Sequence, residues 1–318
     1  MDRPDRVAGA SLLPVGALLL AMLSFTLGAS FAKRLFPLVG AEGATTLRLV
    51  LGAMVLAVAL RPWRTRFSSI RWRPVAVYGL AMASMNLFFY MALRTLPMGI
   101  AIALEFTGPL TVATLSSRRA ADFLWIACAV VGLILLLPLS GAAPHLDLTG
   151  MALALGAGVC WALYIIAGKT AGQAHGAVTT SLGMSIGAVA ILPVGLIHAG
   201  AALLQPSILA VGLVVALLSS ALPYTLEMVA LRHLPAKTYG TLTSCEPAVG
   251  AIIGLVLLGE MLAPIQCCAI GLIIVASLGA AMTAMRDAPA VIGEPEPSPA
   301  TTGGAHARGQ AQPQPESI

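Results

Sequence analysis

Residues 92–97 read ALRTLP and residues 230–235 read ALRHLP, and each string is followed twelve residues later by a second proline, Pro109 in one case and Pro247 in the other. The offset between the two strings is 138 residues. A second pair, FTLGASFAK at 25–33 and WALYIIAGK at 161–169, repeats at an offset of 136. Self-similarity at a fixed offset divides the chain into two related halves, about 12–139 and 148–284.

What each half contains follows from composition. Of 318 residues, 58% are hydrophobic and only 10% charged, against roughly 25% charged in an ordinary soluble domain. So few charges cannot cover a soluble surface. Gly and Pro, 32 and 21 residues, are too many for long soluble helices but common in membrane helices. Ten apolar runs approach the ~20 residues a spanning helix needs: 12–32, 44–60, 74–93, 98–116, 123–139, 148–167, 178–197, 208–231, 238–258 and 264–284. Linkers are short and marked by Pro, Gly or charge, leaving no room for a soluble domain. The first run exceeds the ~7–15 residues of a signal-peptide core and ends at Lys33-Arg34, so a spanning helix is expected there rather than a cleaved leader.

Five runs per half is an odd number. The second half must enter the membrane from the opposite side, which makes the pair an inverted repeat, the plan of many secondary transporters. The expected fold class is therefore an all-α membrane protein of ten transmembrane helices in two inverted five-helix repeats. The net charge of +5 reads as topology, because the basic residues form no face that could dock on nucleic acid. With the N-terminus inside, Arg3, Arg6, Arg61, Arg64, Arg66, Arg71, Arg73, Arg118, Arg119, Lys169, Arg232, Lys237, Arg286 and Arg308 are cytoplasmic, and only Lys33, Arg34 and Arg94 are outside. That asymmetry places residues 1–11 and both termini in the cytoplasm. Lys33-Arg34 runs against the rule. The tail, 287–318, is rich in Pro, Gly and Gln without apolar period, and is expected to be disordered.

Several strings resemble a known family: GASFAKRLFPLVGAEGATTLRLVLGA (28–53), GIAIALEFTGPLTVATLSSRRAADF (99–123), DLTGMALALGAGVCWALYIIAGK (147–169) and SSALPYTLEMVALRHLPAKTYGTLTSCEPAVGAIIGLVLLGE (219–260). Together with the five-plus-five plan they resemble the EamA repeats of the drug/metabolite transporter superfamily, over about residues 12–285. The resemblance implies a bacterial inner-membrane exporter of small neutral amino acids of the threonine/homoserine type. An exporter of another metabolite or a drug is the alternative. The resemblance implies no cofactor, and a homodimer stays open.

Four charged residues fall inside the expected spans: Arg48, Glu105, Glu227 and Glu246. Each costs at least ~2.5 kcal/mol at a bilayer centre and therefore needs a partner or a wet cavity. Under the repeat offset Glu105 falls on Thr243 and Glu246 on Gly108, less than a helical turn apart. Each acid also precedes its half's second proline, which removes a backbone N–H and loosens the helix. A carboxyl group held away from water can carry a proton at neutral pH. Proton entry and amino-acid exit could then compete for one acidic site, with Arg48 or the N–H groups of a broken helix holding the cargo carboxylate. The plainer reading pairs Arg48 with one Glu as a helix tie, and Glu227 with Arg232. Asn86, Tyr90 and Tyr224 complete the candidate substrate and proton site; helix packing would explain each of them as well. Gly183-x-x-x-Gly187 and Gly250-x-x-x-Gly254 read as packing faces. No nucleotide-binding loop or zinc-protease motif occurs, so neither ATP drive nor an enzyme is expected.

Overall fold

Apolar runs leave the chain one way to satisfy its backbone in lipid, which is to hydrogen-bond within each segment. The computed structural model describes residues 5–115, 120–136, 147–175, 178–233 and 242–284, and it is helical in all of its regular structure. Arg3, Arg118, Arg119, His145, Lys237, Arg286, Arg308 and the 287–318 tail lie outside the described residues, as do the side chains of Arg6, Lys169, His175, Arg232 and His233.

The helices are α1 (Asp5–Leu60), α2 (Trp72–Ala92), α3 (Met98–Glu105), α4 (Thr107–Leu115), α5 (Ala120–Leu136), α6 (Leu148–His175), α7 (Val178–Ala199), α8 (Pro206–Ala216), α9 (Leu222–His233), α10 (Glu246–Leu258) and α11 (Pro264–Ala284). A π-helical turn, Leu217–Ala221, joins α8 to α9. By length and composition, five helical stretches can each cross a membrane: Leu13–Leu60, Trp72–Ala92, Leu148–Gly172, Val178–Leu204 and Pro206–Glu227. Met98–Val112, Glu246–Leu258 and Pro264–Ala276 are shorter apolar helices. The protein is a multi-pass membrane protein.

Local chemistry sets the breaks. α1 is two helices meeting at Gly40, whose φ of 70° and ψ of 172° are non-helical and suit a residue without a Cβ. Pro206 and Pro264 open their helices, where no intrahelical N–H is needed. α10 ends at Gly259 in the left-handed region (φ 67°), and the next N–H, from Glu260, closes back on the Gly254 carbonyl at 3.1 Å. The α3–α4 break at Phe106 comes three residues before Pro109, which cannot return a hydrogen bond to the Glu105 carbonyl. At the start of α6 the Asp147 carboxylate accepts the N–H groups of Thr149 (3.1 Å) and Gly150 (2.9 Å). The Gly150 N–H leads in holding that carboxyl below the usual carboxylate range. Because the folded-state value is depressed, this cap's contribution is present above the ordinary carboxylate pKa and is lost as pH falls through the depressed one.

Packing is inverted relative to a soluble protein only on the outside. A core of Ala, Leu, Ile and Met joins α1, α2, α3, α6, α8 and α11. Large apolar side chains such as Val159 (63% exposed), Val189 (72%) and Ile197 (80%) cover the outer faces. In water that surface would aggregate; against acyl chains it is the expected one. Small residues let backbones touch. A Cβ on Gly79 would enter the Gly183 carbonyl, and one on Gly187 would sit 2.8 Å from the Gly79 carbonyl, so Gly183 and Gly187 seat α2 on α7. At Gly250 a Cβ would meet the Ile102 side chain of α3, and at Gly254 it would meet the Glu260 carboxylate.

Lys33-Arg34, unexplained by charge distribution, finds partners across the fold. Lys33 Nζ pairs with Glu260 Oε1 at 2.5 Å and reaches the Leu96 carbonyl at 3.3 Å. Glu260 Oε2 accepts the Met98 N–H at 2.7 Å, and Arg34 donates to the Leu257 carbonyl at 3.0 Å. The basic pair thus ties α1 to the start of α3 and the end of α10. Glu42, 8% exposed, lies 3.5 Å from Arg94. It is a further buried charge, just before the second expected span.

Candidate functional site

A cavity of about 60 Å³ lies among α1, α2, α3, α6, α9 and α10, room for a handful of waters at ~10–15 Å³ each. Three carboxyl groups line it: Glu105 from α3, Glu227 from α9 and Glu246 from α10. Elements of both halves of the chain therefore deliver acids to one space. Glu105 is 5% exposed and ends α3 where the helix breaks; Glu246 begins α10, directly before Pro247. The broken backbone places both acids at helix ends in the middle of apolar segments. There an ionised carboxylate needs a cation or water, and a protonated one does not.

Aromatic residues make up much of the remaining wall. Trp161, Tyr164 and Tyr224 face the cavity with Phe25, Met22 and Met85. Trp161 meets Phe106 edge-on at 5.4 Å between ring centroids. Tyr164 stacks on Tyr78 at 4.6 Å, and the two hydroxyls hydrogen-bond at 3.1 Å. Asn86 is buried, and its Nδ2 donates to the Met82 carbonyl at 2.7 Å. These rings and hydroxyls offer an amphipathic lining for a small polar molecule with a short side chain.

Arg48 and Tyr90 occupy a second layer. Arg48 is 1% exposed; Nε donates to Ser220 Oγ at 3.0 Å and Nη2 to the Ser219 carbonyl at 2.6 Å. Its guanidinium lies between the faces of Phe25 and Tyr90, at 5.1 and 5.3 Å from the ring centroids. Among the described residues no carboxylate pairs with it. The plainer reading, a helix tie between Arg48 and a Glu, finds no such pair among the described residues; two serines and two rings surround the guanidinium. Tyr90 is fully buried beneath the guanidinium and not part of the cavity wall. Of the seven residues read as candidates, Glu105, Glu227, Glu246 and Tyr224 line the cavity, while Asn86, Arg48 and Tyr90 do not. Ser219 was not anticipated: a serine in an apolar run carries no periodic signal.

A family model described as the EamA-like transporter family matches residues 148–282. The threonine/homoserine exporter RhtA of Escherichia coli (strain K12) is 52% identical over 275 residues, covering 86% of this chain and 93% of that protein. Its namesake in Salmonella typhimurium (strain SL1344) is 53% identical over the same shares. An uncharacterized transporter of Bacillus subtilis, YwfM, is 28% identical over 68% of this chain and 76% of its own length. Among solved structures, a crystal structure 20% identical in sequence covers 89% of this chain and 99% of its own, with a TM-score of 0.57. That likeness concerns the fold alone.

Proposed function

This chain belongs to the EamA-like transporter family, and from that premise we propose that it is a bacterial inner-membrane secondary transporter that exports small neutral amino acids of the threonine and homoserine type in exchange for protons. The observation that carries the cargo is the 52% identity, over nearly the whole length, to exporters named for threonine and homoserine. The acid-lined cavity supplies the chemistry.

Ten membrane-spanning segments form two inverted repeats, 12–139 and 148–284, with both termini in the cytoplasm. Packing supports the relation. α5 lies on α11 and α3 on α10, while α2 meets α6 as α1 meets α8 and α9. The first two pairings join segments five places apart, and the last two exchange under that offset, as a pseudo-two-fold axis would have it.

At the site, Glu105, Glu246 and Glu227 take either the cargo's ammonium group or protons. Loading of cargo from the cytoplasm releases protons, and protonation from outside releases cargo. Tyr224 and Asn86 offer hydrogen bonds to the cargo, and Arg48, backed by Tyr90, answers its carboxylate. The test is growth in the presence of toxic external threonine or homoserine, with and without expression of the chain. Expression is expected to raise the tolerated concentration severalfold. No gain in tolerance to either amino acid, with the protein present in the membrane, would overturn the cargo assignment.

A further inference from the structure

A π-helical turn carries one more residue than an α-turn and disturbs the regular carbonyl-to-amide pairing, so its carbonyls are open to other donors. In Leu217–Ala221 two of them are taken by side chains of α1. Ser24 Oγ donates to the Leu218 carbonyl at 2.6 Å, and Arg48 Nη2 donates to the Ser219 carbonyl at 2.6 Å. The turn can approach this closely because α1 offers glycine there. A Cβ on Gly28 would stand 2.7 Å from Ser219, and one on Gly52 would stand 3.1 Å from the Ser220 Cβ.

The result is a guanidinium fixed on one edge and unspent on the other. Nε and Nη2 are held by Ser220 and the Ser219 carbonyl, while Nη1 is buried with no hydrogen-bond partner. An unmet N–H on a buried cation is costly, and a group built only to tie helices would have been satisfied. Phe25 and Ser219, which touch Arg48, are themselves part of the wall of the acid-lined cavity. Arg48 therefore sits directly behind two residues of that wall.

We propose that Ser220 and Ser24, acting through the π-turn, are positioning residues that hold Arg48 with its Nη1 edge reserved for the cargo's carboxylate, and that this makes the transporter selective for cargo bearing one. The inference rests on the amino-acid-export reading. Fork-shaped donation by Arg suits a carboxylate, and charge-assisted bonds of this type are the strong ones. Ser220 touches no cargo. It fixes the rotation of the guanidinium, and Ser24 fixes the turn that Ser219 belongs to.

The experiment compares L-threonine with L-threoninol, in which a hydroxymethyl group replaces the carboxylate, using full-length protein in proteoliposomes. Transport of labelled threonine gives its KM and kcat, and competition by threoninol gives an inhibition constant. In Ser220→Ala the threonine KM is expected to rise about tenfold, the lower end for a charge-assisted bond, with kcat and the threoninol constant little changed. Ser24→Ala, which leaves Arg48's own partners in place, should move the threonine KM in the same direction by less. Equal weakening of both compounds would mean a structural role only and would overturn the proposal, as would unchanged threonine KM in both variants. Should Ser220→Ala be lost from the membrane, the Ser24→Ala comparison decides by the same criterion. Absence of threonine and homoserine transport by the unaltered protein would instead overturn the export reading, and this inference with it.

Discussion

Glu105→Gln is expected to reach the membrane at normal levels and to lose proton-coupled efflux, with a drop of at least about tenfold in rate, the scale set by one charge-assisted interaction. Glu246→Gln should behave alike. Glutamine keeps the shape of the side chain and most of its hydrogen bonding but cannot titrate, so it separates charge from packing. Glu105 is 5% exposed and shares its cavity with Glu227 and Glu246, where a proton and an ammonium group are the two natural ways to neutralise an acid. Residual cargo exchange, insensitive to external pH, is the expected remainder. The competing account, in which an acid serves only to neutralise Arg48, predicts reduced protein levels and rescue by also neutralising Arg48. With Ser220 and the Ser219 carbonyl as Arg48's partners, no such rescue is expected. Efflux that keeps its full rate and pH dependence in both variants would defeat the mechanism while leaving the family assignment standing.

Gly108→Ala is expected to be strongly disruptive for a single added methyl group. At the α3–α4 break the chain lies directly on α6. A Cβ at residue 108 would occupy the position of the Gly158 carbonyl, and a Cβ at 158 would stand 2.7 Å from the Glu105 carbonyl. Backbone cannot swing aside as a long side chain can, so the helices must part. Overpacking of this kind costs about 3 kcal/mol or more. A lower melting temperature in detergent and sharply reduced membrane levels are the expected readouts. Gly271→Ala is the control, because nothing lies within 4 Å of its added Cβ and alanine is the better helix former by about 1 kcal/mol. Similar stability losses in the two variants would refute this close-packed description of the site's support.

How far the sequence foretold this arrangement depends on the range of each interaction. Helix in the apolar runs, the break near Pro109 and the packing role of Gly183 and Gly187 are local consequences of residue type, legible without a structure. The convergence of Glu105 and Glu246 on one cavity could be anticipated from the matched strings ALRTLP and ALRHLP, which put the two acids at nearly equal distances from similar sequence. Where no repeat or periodicity speaks, the sequence is silent. The run LLSSALP at 217–223 offers Pro223, which has no N–H to return to the Ser219 carbonyl, but nothing in it names Ser24 and Arg48, the α1 side chains that take the freed carbonyls. Arg48 could be read as a holder of the cargo carboxylate or as a helix tie to a Glu; that its protein partners are uncharged oxygens and ring faces is a choice made by packing. Lys33, at odds with the charge rule only under the expected topology, has its partner Glu260 227 residues away.

The most direct test of the central claim is accumulation of labelled L-threonine by everted inner-membrane vesicles whose lumen is acidified by respiration. In that orientation an exporter that exchanges cargo for protons fills the lumen. Vesicles carrying the protein are predicted to accumulate threonine well above vesicles lacking it, and to lose the accumulation when a protonophore collapses the gradient. Equal accumulation with and without the protein, or accumulation that survives the protonophore, would contradict the account.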